Sequence, residues 1–444
     1  MSRFHRPAPR FASVLPFLRE LPLRARRSFW LDYASQCLSS IFEGVAALLS
    51  MFLAKSLGGD PWLVAALRGI PGVSHLFSVF WVGPIERRRK VPFAVGLMGV
   101  GRGIFLLYLL FPGLLVPYLG PQVLPWAFSA VAAASYFTAS GALPARTAIV
   151  DLVYPDTHRG RIFGFFQSAR VPFAMVASYL AGVFLDRASS GGMPPYHLVF
   201  PAAGFLGLLG ALVMLWLPVG RHDRPHTGPA RGFSPARAWG VLRKDREFRN
   251  YMIAFSIFGF ANLMQLPIQV LYLKDEFHVT YKQTSIIFAI IPQICMLLTG
   301  AFWGGFLDRV SLYTARFLFN MMWAVQPVMY ALAPNIGWIY GASFVSGLSE
   351  AGSGLTWSLG ILYFAPKKDI PLYMSIHLTL TGIRAVIAPQ VGAFLLPVVG
   401  AVGVFWIASG IMVFSSFLML WFGKSDREER RPGAARERAS AGVP

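Results

Sequence analysis

Two carboxylates and four arginines stand where this chain has least room for charge. Glu43 lies inside an apolar stretch and shares a helical face with Asp32, Gln36 and Ser40, at spacings of 4, 4 and 3. Glu350 sits mid-way along another apolar stretch, among the small residues Gly347, Ala351, Ser353 and Gly354. Arg68, Arg102, Arg170 and Arg384 are likewise enclosed by apolar sequence. Ionisable groups are expensive in such surroundings and mark function by default. A desolvated carboxyl group holds its proton more tightly, a nearby guanidinium opposes that, and movement between the two could load and release a proton. A guanidinium can also grip a carboxylate or phosphate through two parallel hydrogen bonds. Equally, arginines and carboxylates can neutralise one another and bind nothing. Asn262, Gln265 and Gln269, at spacings of 3 and 4, form a second polar face, while His75 and His377 are candidate proton relays.

The elements that must position these groups follow from composition. The 444 residues are 55% hydrophobic and 14% charged, with a mean hydropathy of +0.54. Soluble domains carry about 25% charged residues, so this chain is too poor in charge to coat a globule of its size. Apolar runs long enough to cross a bilayer as helices recur at 28–54, 62–84, 91–112, 121–144, 162–185, 197–218, 250–273, 282–306, 316–334, 337–364, 371–396 and 400–423. They lack the polar faces that buried helices of a large soluble protein would show.

The net charge of +20 is distributed by side. If the N-terminus is cytoplasmic, both tails and the connections from even to odd spans carry 32 of the 40 Lys and Arg, and the opposite connections carry four (Lys55, Arg187, Lys274 and Lys282). This asymmetry predicts twelve crossings with both termini cytoplasmic. It also argues against nucleic acid as a partner, since the arginine clusters lie on short connections and tails with no nucleic-acid module around them. The bilayer is the partner that the charge implies.

The predicted organisation is a basic tail over 1–27, a six-helix bundle over 28–218, a polar linker over 219–249, a second bundle over 250–423 and a polar tail over 424–444. Residues 9–22 carry apolar side chains near helical spacing and are predicted either to lie along the membrane surface or to remain a disordered basic tail. Cys37 and Cys295 fall in opposite halves and read as small buried hydrophobes. No phosphate-binding loop, zinc-protease motif or nucleophile elbow occurs, and the eight histidines lack ligand spacing, so neither an enzyme nor a cofactor is expected. The glycines 96, 99, 101 and 103 fall inside the third span, where they suit close helix packing.

A short phrase occurs twice. Trp81-Val82-Gly83-Pro84-Ile85-Glu86-Arg87 and Trp303-Gly304-Gly305-Phe306-Leu307-Asp308-Arg309 share the pattern Trp-x-Gly-x-x-acid-Arg, 222 residues apart, each where an apolar run meets a charged loop. A carboxylate and a guanidinium at a helix end can bond each other and exposed helix termini, which makes Glu86, Arg87, Asp308 and Arg309 candidate gating latches. Twelve spans in two halves, these two loops and a long central loop resemble the major facilitator superfamily. Its loop motif G-x-x-x-D-R-x-G-R-[RK] is matched in its front half by Gly304, Asp308 and Arg309. The first copy departs from it, with Val82 at the glycine, Glu86 for the aspartate and only the basic end, Arg87-Arg88-Arg89-Lys90, retained. Asp151, Pro155 and Arg159-Gly160-Arg161 resemble a further loop of that family after its fourth span.

The resemblance implies an all-α polytopic membrane protein of two pseudo-symmetric six-helix bundles, with spans 1, 4, 7 and 10 around a central cavity. The function expected is secondary active transport of a small organic solute by alternating access, coupled to protons, with a lean to anionic or zwitterionic cargo. Expected binding residues are Gln36, Ser40, Glu43, Arg102, Arg170, Asn262, Gln265, Gln269, Glu350 and Arg384. Glu43 is the first choice for proton carrier and Glu350 the second. Efflux of amphiphilic drugs is the alternative, favoured by the acid in span 1, the 15% aromatic content and the methionine-rich spans. The antiporter pattern expected for it in span 5 is missing, with a partial echo at Ala388-Pro389-Gln390-Val391-Gly392. A non-transporting sensor on the same scaffold is a remote third reading. The expected setting is a bacterial inner membrane, with the protein a monomer.

Overall fold

Among the described residues, five helices start where a side chain occupies one of the first orphan amides of the helix. Asp60 accepts from Leu63 N at 2.7 Å, Asp245 from Phe248 N at 2.9 Å, Ser311 from Thr314 N at 3.2 Å and Asn335 from Trp338 N at 3.2 Å. Thr280 and Gln283 cap each other reciprocally. The computed structural model describes residues 18–429, except 19, 79–80, 82–83, 85–86, 121, 155–161, 163–164, 167, 189–194, 220–234, 308 and 367–368. Among the described residues, all regular structure is helical.

The first group of helices is α1 (Leu23–Ala46), α2 (Leu49–Ser56), α3 (Pro61–Ser78), α4 (Lys90–Gly103), α5 (Leu124–Ala139), α6 (Ala142–Val153), α7 (Val171–Ala188) and α8 (Tyr196–Val213). A short amphipathic helix, α9 (Pro235–Lys244), leads into the second group. That group comprises α10 (Arg246–Asp275), α11 (Tyr281–Ser285), α12 (Ile291–Leu307), α13 (Leu312–Ala331), α14 (Ile336–Phe364) and α15 (Ile370–Glu429). The last helix breaks at Gly400, where φ is 70°, a conformation that costs glycine nothing. Among the described residues, six stretches are long and apolar enough to cross a membrane: Leu23–Ser56, Lys90–Gly113, Tyr196–Trp216, Arg246–Asp275, Tyr281–Gly300 and Leu372–Lys424. Their outward faces carry bare apolar side chains such as Leu298, Trp216, Phe414 and Trp421, which only a hydrocarbon solvent would cover well.

Within the first group α1 packs on α7 and α8; within the second, α10 and α13 pack on α15, and α14 on α12 and α13. The longest contact between the groups runs along α3 and α15. It is made of small residues. A Cβ at Gly72 would lie 2.6 Å from that of Ala385, one at Gly69 would lie 2.6 Å from Ala385 O, and one at Gly382 would lie 2.6 Å from Leu76 Cβ. Backbones can meet this closely only where side chains are absent.

A second junction closes the end of the molecule that carries residues 57–60 and 276–280. The Asp186 carboxylate accepts from the amides of Tyr281 and Lys282, both at 2.8 Å. Lys55 Nζ donates to Val279 O at 2.8 Å, the hydroxyls of Ser56 and Tyr281 bond each other, and Ser285 Oγ donates to Ser178 O at 2.7 Å. Gly182 leaves room for this contact, because a Cβ there would lie 2.7 Å from Tyr281 O. Hydrogen bonds to an ionised carboxylate are each worth about 1.5–3 kcal/mol. Replacing Asp186 by Ala is therefore expected to loosen this end. A cysteine placed at Ser285 should react with a membrane-impermeant maleimide about tenfold faster in the Asp186→Ala background, the equivalent of about 1.4 kcal/mol. Equal labelling rates in the two backgrounds would mean that the carboxylate does not hold the junction.

Candidate functional site

The polar stripe of α1 meets two arginines from different helices. Asp32 is buried, accepts from Arg146 Nη2 at 2.5 Å and also from the Tyr154 hydroxyl at 3.2 Å. Eleven positions on, Glu43 pairs with Arg170 Nη1 at 2.7 Å, and this pair is open, with 49% of the carboxylate side chain and 29% of the arginine side chain accessible. Gln36 is half-buried between them, and Ser40 turns its hydroxyl onto Cys37 O of its own helix at 2.7 Å. Arg102 is placed differently from Arg170. Its Nη1 donates to Ser39 Oγ at 2.7 Å and Gly207 O at 3.1 Å, and its guanidinium stacks over Phe42, so it ties α4 to α1 and α8. Arg68 is half-buried and lies over the Phe288 ring, 5.1 Å from its centroid, within electrostatic reach of Tyr136 and Tyr330.

The second group of helices gathers its ionisable groups around one aromatic ring. Arg384 on α15 and Arg316 on α13 both face Phe255 of α10, at 4.8 and 4.5 Å from the ring centroid. Arg384 donates to Phe255 O at 3.2 Å and Thr381 Oγ1 at 3.0 Å, and Arg316 donates to Thr356 Oγ1 at 3.0 Å and Ser353 O at 3.4 Å. Glu350 is exposed, on α14. It lies within electrostatic reach of Arg316 but makes no ion pair among the described residues. His377 is buried between Phe255 and Trp357, its ring 5.0 Å from each, with neither nitrogen hydrogen-bonded. His75, on α3, approaches the same Trp357 ring of α14 at 6.3 Å. The two candidate relay histidines, 302 positions apart, thus share one indole.

Amides line the interior of α10. Gln265 Nε2 reaches Gln326 Oε1 at 3.4 Å, Gln269 is buried with its Nε2 unpartnered, and Asn262 is half-buried with its Oδ1 unpartnered. Asn320, one turn from Arg316, is fully buried with both amide atoms unpartnered. Of the candidate latches, Glu86 and Asp308 lie outside the described residues, while Arg87 and Arg309 are exposed. The tryptophans of the duplicated phrase are better defined. Trp81 donates to Ser140 Oγ at 2.9 Å over the α5–α6 junction, and Trp303 is buried edge-on to Phe319 of α13 at 5.0 Å. Each indole anchors its phrase to a later helix of its own group.

Two residues of this arrangement escape a reading by sequence. Arg146 sits two positions beyond the fourth apolar run, and Arg316 is the first residue of the ninth, where it counts with the basic loop. Helices α6 and α13 enclose both positions within the bundle.

The profile of the Major Facilitator Superfamily matches residues 33–269 and 251–443. No curated protein matches the sequence. Among solved structures, a POT family transporter in complex with 5-aminolevulinic acid is similar at a TM-score of 0.71 and 13% identity, over 90% of this chain and 96% of that one. The nucleoside transporter NupG is similar at 0.63 and 15% identity, over 91% and 100%. A peptide transporter POT in complex with sulfate is similar at 0.63 and 16% identity, over 90% and 94%.

Asp32→Asn would leave Arg146 without its carboxylate in a buried setting, where stranding one partner costs about 3–5 kcal/mol. The expected result is a clear fall in the melting temperature of the purified protein, partly recovered in the Asp32→Asn, Arg146→Gln double variant. Equal melting of wild type and single variant would show that the pair contributes no stability.

Proposed function

The chain belongs to the major facilitator superfamily, and from that membership we propose that it is a secondary active transporter, moving a small organic solute by alternating access with coupling to protons. In this reading the chain crosses the bilayer twelve times, with 28–218 and 250–423 as its two bundles, 219–249 as the linker and both tails cytoplasmic. The junction around Asp186 and Tyr281 then closes the outer face, and the described state opens inward.

The observation that carries the reading is a pair of accessible carboxylates inside an apolar shell. Glu43 has its arginine in contact at 2.7 Å, whereas Glu350 has none. A cycle that parts Glu43 from Arg170 would make its carboxyl group retain a proton, and re-pairing would expel it. Glu350 is the second carrier, with His377 and His75 beside Trp357 as the relay. Arg170, Arg384, Gln36, Asn262, Gln265 and Gln269 supply polar contacts for the solute. Arg102 is assigned to holding helices together, because Ser39 and Gly207 already engage its guanidinium. The lean to anionic or zwitterionic solutes rests on the excess of buried guanidinium over carboxylate. Efflux of amphiphiles remains the competing reading, favoured by the aromatic walls of Phe255, Phe258 and Trp357.

Proteoliposomes carrying an internal pH dye and challenged with organic anions, organic cations and amphiphiles would decide between them. Anions or zwitterions are expected to elicit proton flux, and Glu43→Gln or Glu350→Gln is expected to reduce it at least about tenfold, as for loss of a group acting in proton transfer. Full flux in Glu43→Gln would remove that residue from coupling. Flux driven by lipophilic cations alone would favour the amphiphile reading.

A further inference from the structure

Phe255 packs against two guanidinium groups that no carboxylate touches among the described residues. In the first group of helices, Asp32 contacts Arg146 and Glu43 contacts Arg170. In the second group, Arg316 and Arg384 make no ion pair among the described residues. Both are buried, at 2% and 8% exposure.

We propose that Arg316 and Arg384, both set against the Phe255 ring, form the binding site for an oxyanion, a carboxylate or phosphate group of the solute. This rests on the transport reading above and deepens it by assigning the anion to the second bundle. The donors are only partly used. A guanidinium offers five N–H groups, yet Arg316 makes two hydrogen bonds through Nη1, and Arg384 makes one each through Nη1 and Nη2. The Nε of each is buried and unpartnered. His377 adds two unpartnered ring nitrogens against the same Phe255 ring.

The charge balance points the same way. Glu350, the carboxylate in electrostatic reach, would leave one guanidinium uncompensated even when ionised. The ring face attracts both cations but cannot neutralise either. An oxyanion accepting from both guanidinium groups would do so.

The backbone is shaped to hold this arrangement. Gly259 lies one turn beyond Phe255, and a Cβ there would sit 2.7 Å from Arg384 Nε, so a side chain at 259 would displace the guanidinium. Arg316 is enclosed by α10, α13 and α14 rather than turned to lipid, so a free solute, not a lipid headgroup, is the occupant. Accessible Glu350 marks the side from which it would enter.

The test is titration of the purified full chain with inorganic phosphate and, separately, succinate, at constant ionic strength, read by thermal stabilisation and calorimetry. One of the two probes is expected to bind saturably, with phosphate or succinate identifying the oxyanion. Arg316→Gln and Arg384→Gln are each expected to weaken it at least tenfold, and Arg384→Lys to weaken it because the charge survives without the fork. Gly259→Ala keeps both arginines and is expected to weaken binding too, which preserves the test if an arginine variant fails to fold. Lys244→Gln removes an exposed charge on α9 and is expected to bind as wild type. Undiminished binding in the folded arginine variants and in Gly259→Ala would overturn the assignment. So would equal weakening in Lys244→Gln, or absence of binding by both probes in a preparation that supports solute-driven proton flux. Anion binding without any flux would instead retain the site and overturn the transport reading.

Discussion

An apolar bundle cannot leave a charge alone, and most of what distinguishes this molecule follows from how each buried ion is answered. Desolvation of an ion costs several kcal/mol unless another charge or a set of hydrogen bonds compensates it. Three solutions coexist. Asp32 and Arg146 neutralise each other deep in the first bundle, with Tyr154 completing the carboxylate's bonds. Arg102 is answered by a hydroxyl, a carbonyl and a ring face. Around Phe255 the answer is incomplete, and there the structure departs from what stability alone would select. The accessible Glu43–Arg170 pair falls between these limits, compensated but wet enough to be separated.

Much of this was legible in the sequence. A carboxylate such as Glu43, or an arginine such as Arg384, stands out when no other acidic or basic residue of the Asp, Glu, Lys or Arg type lies within two turns on either side. Arg170 and Arg384 are answered differently, since one meets a carboxylate and the other a ring shared with a second arginine. What sequence could not resolve is a charge at the margin of an apolar run. Arg316 and Arg146 look like loop residues because hydropathy averages over a window, whereas burial is decided by which neighbouring helix overhangs the position. The meeting of His75 and His377 at Trp357 was equally hidden, because it depends on contact between the two groups of helices.

The duplicated phrase shows a similar division. Its charged half is what a motif search detects, yet among the described residues its tryptophans have the clearest partners. Trp81 over the α5–α6 junction and Trp303 against Phe319 fix where each phrase leaves its bundle. The repeat therefore records a packing solution used twice, beside whatever its carboxylates and arginines do at the surface.

The small-residue seam between α3 and α15 has a mechanical consequence. Interlocked side chains act like gear teeth, and two such helices can move past each other only by changing rotamers. Gly69, Gly72, Gly382 and Ala385 present almost none. Helices that touch backbone to backbone can tilt about their point of contact while every side chain keeps its conformation. The seam is thus a smooth fulcrum, and because His75 is carried on α3 and His377 on α15, a tilt there changes the spacing of the two imidazoles.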